Sequence, residues 1–173
     1  SSMREAIFQA LEYAKSKGCS ITFDTNLRPT LWPDQETMIK TVNKLAFASD
    51  IVLPGVEEGK ILIGTEEPEA IADFYLKNDA KTVIVKLGSA GAYYKTSDGE
   101  SGTVAGFPVA KVVDTVGAGD SFATGVISAL LDGKSVAEAV KRGNLFGSLA
   151  VQVRGGSESL PTRAALAKLE GSN

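Results

Sequence analysis

Histidine is absent from the 173 residues, and cysteine occurs once, at Cys19. The first absence removes Ser-His-Asp and Cys-His triads, His-ligated zinc and imidazole acid–base work, so any general base must be Asp, Glu, Lys or Tyr. The second removes an intrachain disulfide, and a lone Cys just ahead of the apolar ITF reads as a small core residue. Long apolar runs are missing too. ISALL and FGSLAVQV fall far short of the roughly 18 residues that span a bilayer, and no basic-then-apolar leader opens the chain, so the expectation is a cytoplasmic protein without membrane contact. Basic charge is scarce: 18 Lys and Arg against 21 Asp and Glu give a net charge of −3. A pI near 5.1 argues against a nucleic-acid groove, which needs clustered cations on one face.

What is present fits one globular unit with a real core: 43% hydrophobic and 23% charged residues, with mean hydropathy near zero. Met3, Ile7, Phe8, Leu11 and Ala14 share a helical face that Gly18 stops, and Cys19 to Phe23 reads as a short buried strand. The loop FDTNLRPTLWPD ends at Asp34, a plausible N-cap for a helix carrying Met38, Ile39, Val42, Leu45 and Ala46. SDIVLP predicts a second strand, Glu57 to Ile63 and Pro68 to Lys77 two helices, and TVIVKL a third strand. Gly88 and Gly91 predict a tight turn, AYY and TVAGF antiparallel edge strands, and KVV a further strand before the segment DTVGAGDSFATG. Two helices follow, one stopped by Gly133 and one carrying Val136 to Val153, then a short helix after Pro161. Short apolar strands alternating with amphipathic helices predict an α/β fold with a mainly parallel sheet covered on both faces and a site beyond the carboxyl ends of its strands.

The loops at those ends are DTNLR, PGVEE, GSAG and DTVGAGD. Gly117, Ala118 and Gly119 would let backbone N–H groups approach an anion at a helix N-terminus, the arrangement a transferring phosphoryl group requires. Asp120, at the positive end of that helix, could orient and deprotonate an acceptor hydroxyl; otherwise it is a simple cap. A Rossmann fingerprint does not fit, because GAGDSF lacks the third glycine and no strand ending in an acid follows at the right distance. Walker A fails for want of a Lys after the glycines.

DTVGAGDSFATG resembles the C-terminal signature of the ribokinase-like (PfkB) carbohydrate kinases almost residue for residue, and the similarity extends over essentially the whole chain. It implies a three-layer α/β/α sandwich, of which residues 1–173 would be the C-terminal part of one kinase domain, without the family's N-terminal half and β lid. FDTNLRPTLW, LPGVEEGKILIGT and IVKLGSAGAYY look most like the 2-keto-3-deoxygluconate kinases, with fructokinases and other sugar kinases as the alternative and an inactive nucleotide-binding fragment as the reading from another class. The resemblance implies ATP and a sugar or sugar acid as ligands, with Mg2+ and a monovalent cation, and a homo-oligomer for the full-length protein.

Carried over residue by residue, Asp120 becomes the catalytic base, and the N–H groups of Gly117, Ala118, Gly119 and Asp120 the anion hole. Asn26 and Arg28 would lie between nucleotide and acceptor, Arg28 pairing with a substrate carboxylate or a phosphate. Lys86, Gly88, Ser89 and Gly91 match the nucleotide-phosphate turn, and Asn144 the helix beside the adenine. Glu58 falls at the glutamate of the family's Asn-x-x-Glu magnesium motif, although Gly55 stands where that asparagine belongs; Asp114 and the Val116 carbonyl match a monovalent-cation loop.

Overall fold

A computed structural model describes residues 2–155 and 158–171. The elements run α1 (Ser2–Ser16), β1 (Thr22–Asp24), α2 (Gln35–Phe47), β2 (Ile51–Leu53), α3 (Val56–Ile63), α4 (Pro68–Leu76), β3 (Thr82–Lys86), β4 (Gly91–Thr96), β5 (Ser101–Ala105), α5 (Ala118–Leu131), α6 (Val136–Ala150) and α7 (Arg163–Gly171). The strands form one sheet in the order β1-β2-β3-β4-β5. The first three are parallel and β4 turns back antiparallel on β3, as expected when helical crossovers give way to a hairpin. The chain divides into two compact units, Ser1–Gly88 with Ala92–Thr103, and Ser89–Gly91 with Val104–Asn173.

In the first unit, one face of β2 and β3 (Val52, Val83, Val85) packs on Ala46, Ile71, Ala72 and Tyr75, all fully or almost fully buried. Pro68 sits in the first turn of α4, where its missing N–H costs nothing, and the buried Tyr75 hydroxyl donates to Asn43 Oδ1 at 3.0 Å. Asp34 caps α2 by accepting from Thr37 N at 2.6 Å, as the sequence predicts. Register places Asp24 beside Leu53, and a further bridge pairs Gly55 with Lys86, so the carboxyl ends of β1, β2 and β3 finish level with one another.

In the second unit, α5 and α6 form a helical hairpin whose buried faces carry Phe122, Val126 and Ala129 on one side and Ala139, Val140 and Phe146 on the other. Leu145 and Phe146 also pack with Leu166 of α7. Arg142, only 4% exposed, donates to Asp132 Oδ2 at 2.7 Å, which satisfies a cation that burial alone would penalise.

Two expectations are corrected. Cys19 is exposed and not in the core. Gly18 takes a left-handed conformation (φ +69°) and the Cys19 N–H closes onto the Ala14 carbonyl at 3.0 Å, so Cys19 belongs to the helix stop and β1 begins three residues later. KVV is not a strand: Val112 and Val113 are exposed, and the Val113 N–H bonds the Val151 carbonyl at 2.7 Å at the end of α6. A β-branched run lacking a neighbouring strand to pair with stays irregular. The remaining strands and helices lie where the periodicity puts them, with α6 ending at Ala150, short of Val153.

Candidate functional site

The first unit gathers its polar residues at the carboxyl ends of β1, β2 and β3. Lys86, the last residue of β3, reaches Asp24, the last residue of β1, and donates to both carboxylate oxygens at 2.7 and 2.8 Å. The two side chains are 20% and 17% exposed, so this pair is largely withdrawn from water. Burial pushes the Asp24 carboxyl above its ordinary range, while the Lys86 charge and hydrogen bonds pull it back. Asp24 Oδ1 also accepts from the Asn26 N–H at 3.1 Å, a local turn that holds Asn26 at φ +35°. Asn26 and Arg28 are exposed, and Arg28 donates to the Leu27 carbonyl at 2.9 Å.

Glu58 lies in the first turn of α3 and accepts three hydrogen bonds: from the Thr25 hydroxyl at 2.6 Å, the Leu27 N–H at 2.7 Å and the Gly55 N–H at 2.7 Å. The last is the helix-capping bond expected of a glutamate at the third helical position, and the first two tie the loop after β1 to α3. Both carboxylate oxygens are therefore engaged by the protein. Among the described residues no three of His, Cys, Asp and Glu cluster to hold a metal ion.

The second unit holds the glycine-rich helix entrance. Gly117 is left-handed (φ +79°), a conformation closed to most side chains, and it turns the chain into α5. Ala118 N–H bonds the Thr115 carbonyl at 3.3 Å and Ser121 N–H the Gly117 carbonyl at 2.8 Å. Between them, the N–H groups of Gly119 and Asp120 have no acceptor among the described residues, the usual state of a helix's first turn. Asp120 is exposed, and its carboxylate makes no hydrogen bond or ion pair among the described residues. Asp114 is half-buried and accepts from the Val116 N–H at 3.0 Å.

The turn predicted at Gly88 to Gly91 is a 3-10 turn, Gly88–Ala90, with Gly88 and Ser89 exposed. A Cβ on Gly91 (φ +109°) would lie 2.1 Å from the Val104 carbonyl oxygen, so only glycine fits. Asn144, 7% exposed, donates to that same carbonyl at 2.9 Å and to Ala105 O at 3.2 Å. Gly91 and Asn144 thus meet on one short stretch of backbone.

Structure therefore brings Asn26, Arg28, Glu58 and Lys86 into one bonded neighbourhood, and Gly91 and Asn144 into another. Sequence reasoning passed over Asp24 and Thr25, which link the first group. Their signal was available: an acid and a hydroxyl directly after a short apolar strand, at the edge where polar loops were expected.

Residues 1–163 match the family described as pfkB family carbohydrate kinase. Over 165 residues the chain is 50% identical to 2-dehydro-3-deoxygluconokinase of Bacillus subtilis (strain 168), covering 95% of this chain and 51% of that protein. Among solved structures, a PfkB protein from Polaromonas sp. JS666 is 51% identical with a TM-score of 0.83, over 94% of this chain and 50% of that one. A fructokinase double mutant from Vibrio cholerae O395, bound to fructose, ADP and potassium ion, is 30% identical with a TM-score of 0.86, over 95% of this chain and 54% of that one. The chain spans about half the length of the relatives it matches.

Proposed function

Since this chain belongs to the pfkB family of carbohydrate kinases, we propose that the protein containing it transfers the γ-phosphoryl group of ATP to a hydroxyl of a sugar or sugar acid. The first acceptor to test is 2-keto-3-deoxygluconate, giving its 6-phosphate, because half the aligned residues are shared with the Bacillus subtilis 2-dehydro-3-deoxygluconokinase. The observation that carries the reading is the entrance to α5: within four residues, a left-handed glycine, with two N–H groups and a carboxylate that have no partner among the described residues.

In this reading Asp120 accepts the proton of the acceptor hydroxyl as its oxygen forms a bond to the γ-phosphorus, the bond to the β–γ bridging oxygen breaks, and ADP leaves. The Gly119 and Asp120 N–H groups, aided by the helix dipole, stabilise the charge spread over the transferring oxygens. Lys86, Asn26 and the Gly88–Ser89–Gly91 turn take the nucleotide phosphates, and Arg28 the acceptor carboxylate or a phosphate. Asn144 serves the adenine side by fixing the Val104 and Ala105 backbone it already holds. Magnesium on the phosphates would neutralise part of their charge. With both oxygens already accepting hydrogen bonds, Glu58 would meet that ion through water. The Asp114–Val116 turn is the candidate for a monovalent cation, the kind of ion bound by the fructokinase relative.

Asp120→Asn in the full-length protein tests the base. ATP affinity should stay within a few fold while turnover falls by about 10²-fold or more. Turnover at the wild-type level would remove Asp120 from that role. A coupled ATPase assay across acceptors tests the sugar, and a higher kcat/KM for fructose would replace the sugar acid.

A further inference from the structure

A lysine ammonium at the end of four rotatable bonds is a poor fixed point unless something holds it. Among the described residues the Lys86 ammonium has a single partner, the Asp24 carboxylate, which takes two of its donors across 62 residues of chain. The same carboxylate accepts the Asn26 N–H, and Asn26 sits in a left-handed conformation that this bond favours. One half-buried acid, contributed by the strand in front of the loop, therefore fixes two groups assigned above to the nucleotide phosphates. Asp24 is itself unsuited to take a proton from substrate, since both of its oxygens face Lys86.

We propose that Asp24 is a positioning residue for phosphoryl transfer, holding the Lys86 ammonium and the Asn26 backbone in the arrangement that receives the nucleotide phosphates. This rests on the kinase reading given above. It also separates Asp24 from Asp120: the first acts through Lys86, the second on the acceptor.

The test is a double-mutant cycle in the full-length protein, with KM for magnesium-ATP, KM for the sugar and kcat measured separately. Asp24→Asn and Lys86→Met should each raise KM for magnesium-ATP by about tenfold or more while sugar KM moves less than about twofold. The combined D24N/K86M protein should be no worse than the poorer single variant, because Asp24 acts through Lys86. Multiplying effects, or D24N with wild-type kinetics, would overturn the proposal while leaving the kinase reading intact. Wild-type protein that neither turns over a sugar nor binds magnesium-ATP by calorimetry would overturn both. If D24N alone fails to fold because it leaves the half-buried Lys86 ammonium unpaired, Asp24→Glu, which keeps the charge but moves the carboxylate by one methylene, decides: a wild-type KM for magnesium-ATP refutes the proposal, and a rise of about tenfold with sugar KM unchanged supports it.

Discussion

Glu58 offers a test of whether an acid serves the protein backbone or a metal, and the measurement needs neither nucleotide nor magnesium. Its carboxylate accepts from Thr25 Oγ1, Leu27 N and Gly55 N at 2.6 to 2.7 Å. At a net value of about 1 kcal/mol for each bond, Glu58→Ala should lower the unfolding free energy by about 3 kcal/mol. Glu58→Gln keeps one acceptor oxygen and turns an amide NH2 toward donors, so about 2 kcal/mol should be lost. The assay is urea unfolding of wild type and both variants in EDTA, followed by circular dichroism, with the slope m checked for constancy. An acid placed mainly to hold a metal behaves oppositely: its removal leaves the metal-free protein as stable as before, or more so. Wild-type stability for Glu58→Ala in EDTA, with a deficit only once magnesium-ATP is added, would refute the bracing argument.

Two glycines of the helical hairpin should respond with opposite signs to the same substitution. A Cβ at Gly125 would come within 2.7 Å of the Arg142 carbonyl oxygen and 2.8 Å of Gly143 Cα, both backbone, so Gly125→Ala should cost about 1–3 kcal/mol in chemical denaturation. At Gly147 the nearest atom is 3.6 Å away, and Gly147→Ala should gain about 0.5–1 kcal/mol from helix propensity. The Ser135–Glu138 capping box supplies a pH test: the hydrogen bonds from Ser135, with help from Lys134, hold Glu138 down to about 2. A carboxyl depressed on folding contributes stability above its unfolded pKa and loses it as pH falls through the folded one. The stability gap between wild type and Glu138→Gln should therefore be complete at neutral pH and close between about 4.5 and 2.

Much of this architecture could be read from spacing alone, because helices and buried strands announce themselves through burial periodicity. Asp34, Pro68 and Gly133 mark helix ends for reasons local to a few residues, and the structure keeps those positions. Cys19 and KVV went differently because their fate depends on partners: the first is taken into the stop of α1, and the second finds the Val151 carbonyl where a strand neighbour was expected. The same distinction runs through the site. Gly117 and Asp120 are legible because a helix entrance is a local object. Asp24 was not, since its partner is a lysine 62 residues away, and Glu58 showed its helix-start position but not its bonds to Thr25 and Leu27.

The hairpin of α5 and α6 is joined by only four residues, and its close approach at Gly125 and Gly143 is made between near neighbours in sequence. Contacts of that kind form quickly, whereas bringing β1, β2 and β3 side by side requires closing two long helical crossovers. Synthesis reverses the disadvantage. β3 is finished at Lys86 and α6 at Ala150, so at about 5–20 residues per second the parallel strands have roughly 3–13 s to find their register before the helical pair is complete. The order of elements along the chain gives the slow part of folding a head start, and the turn that carries Asp120 belongs to the element best able to assemble fast.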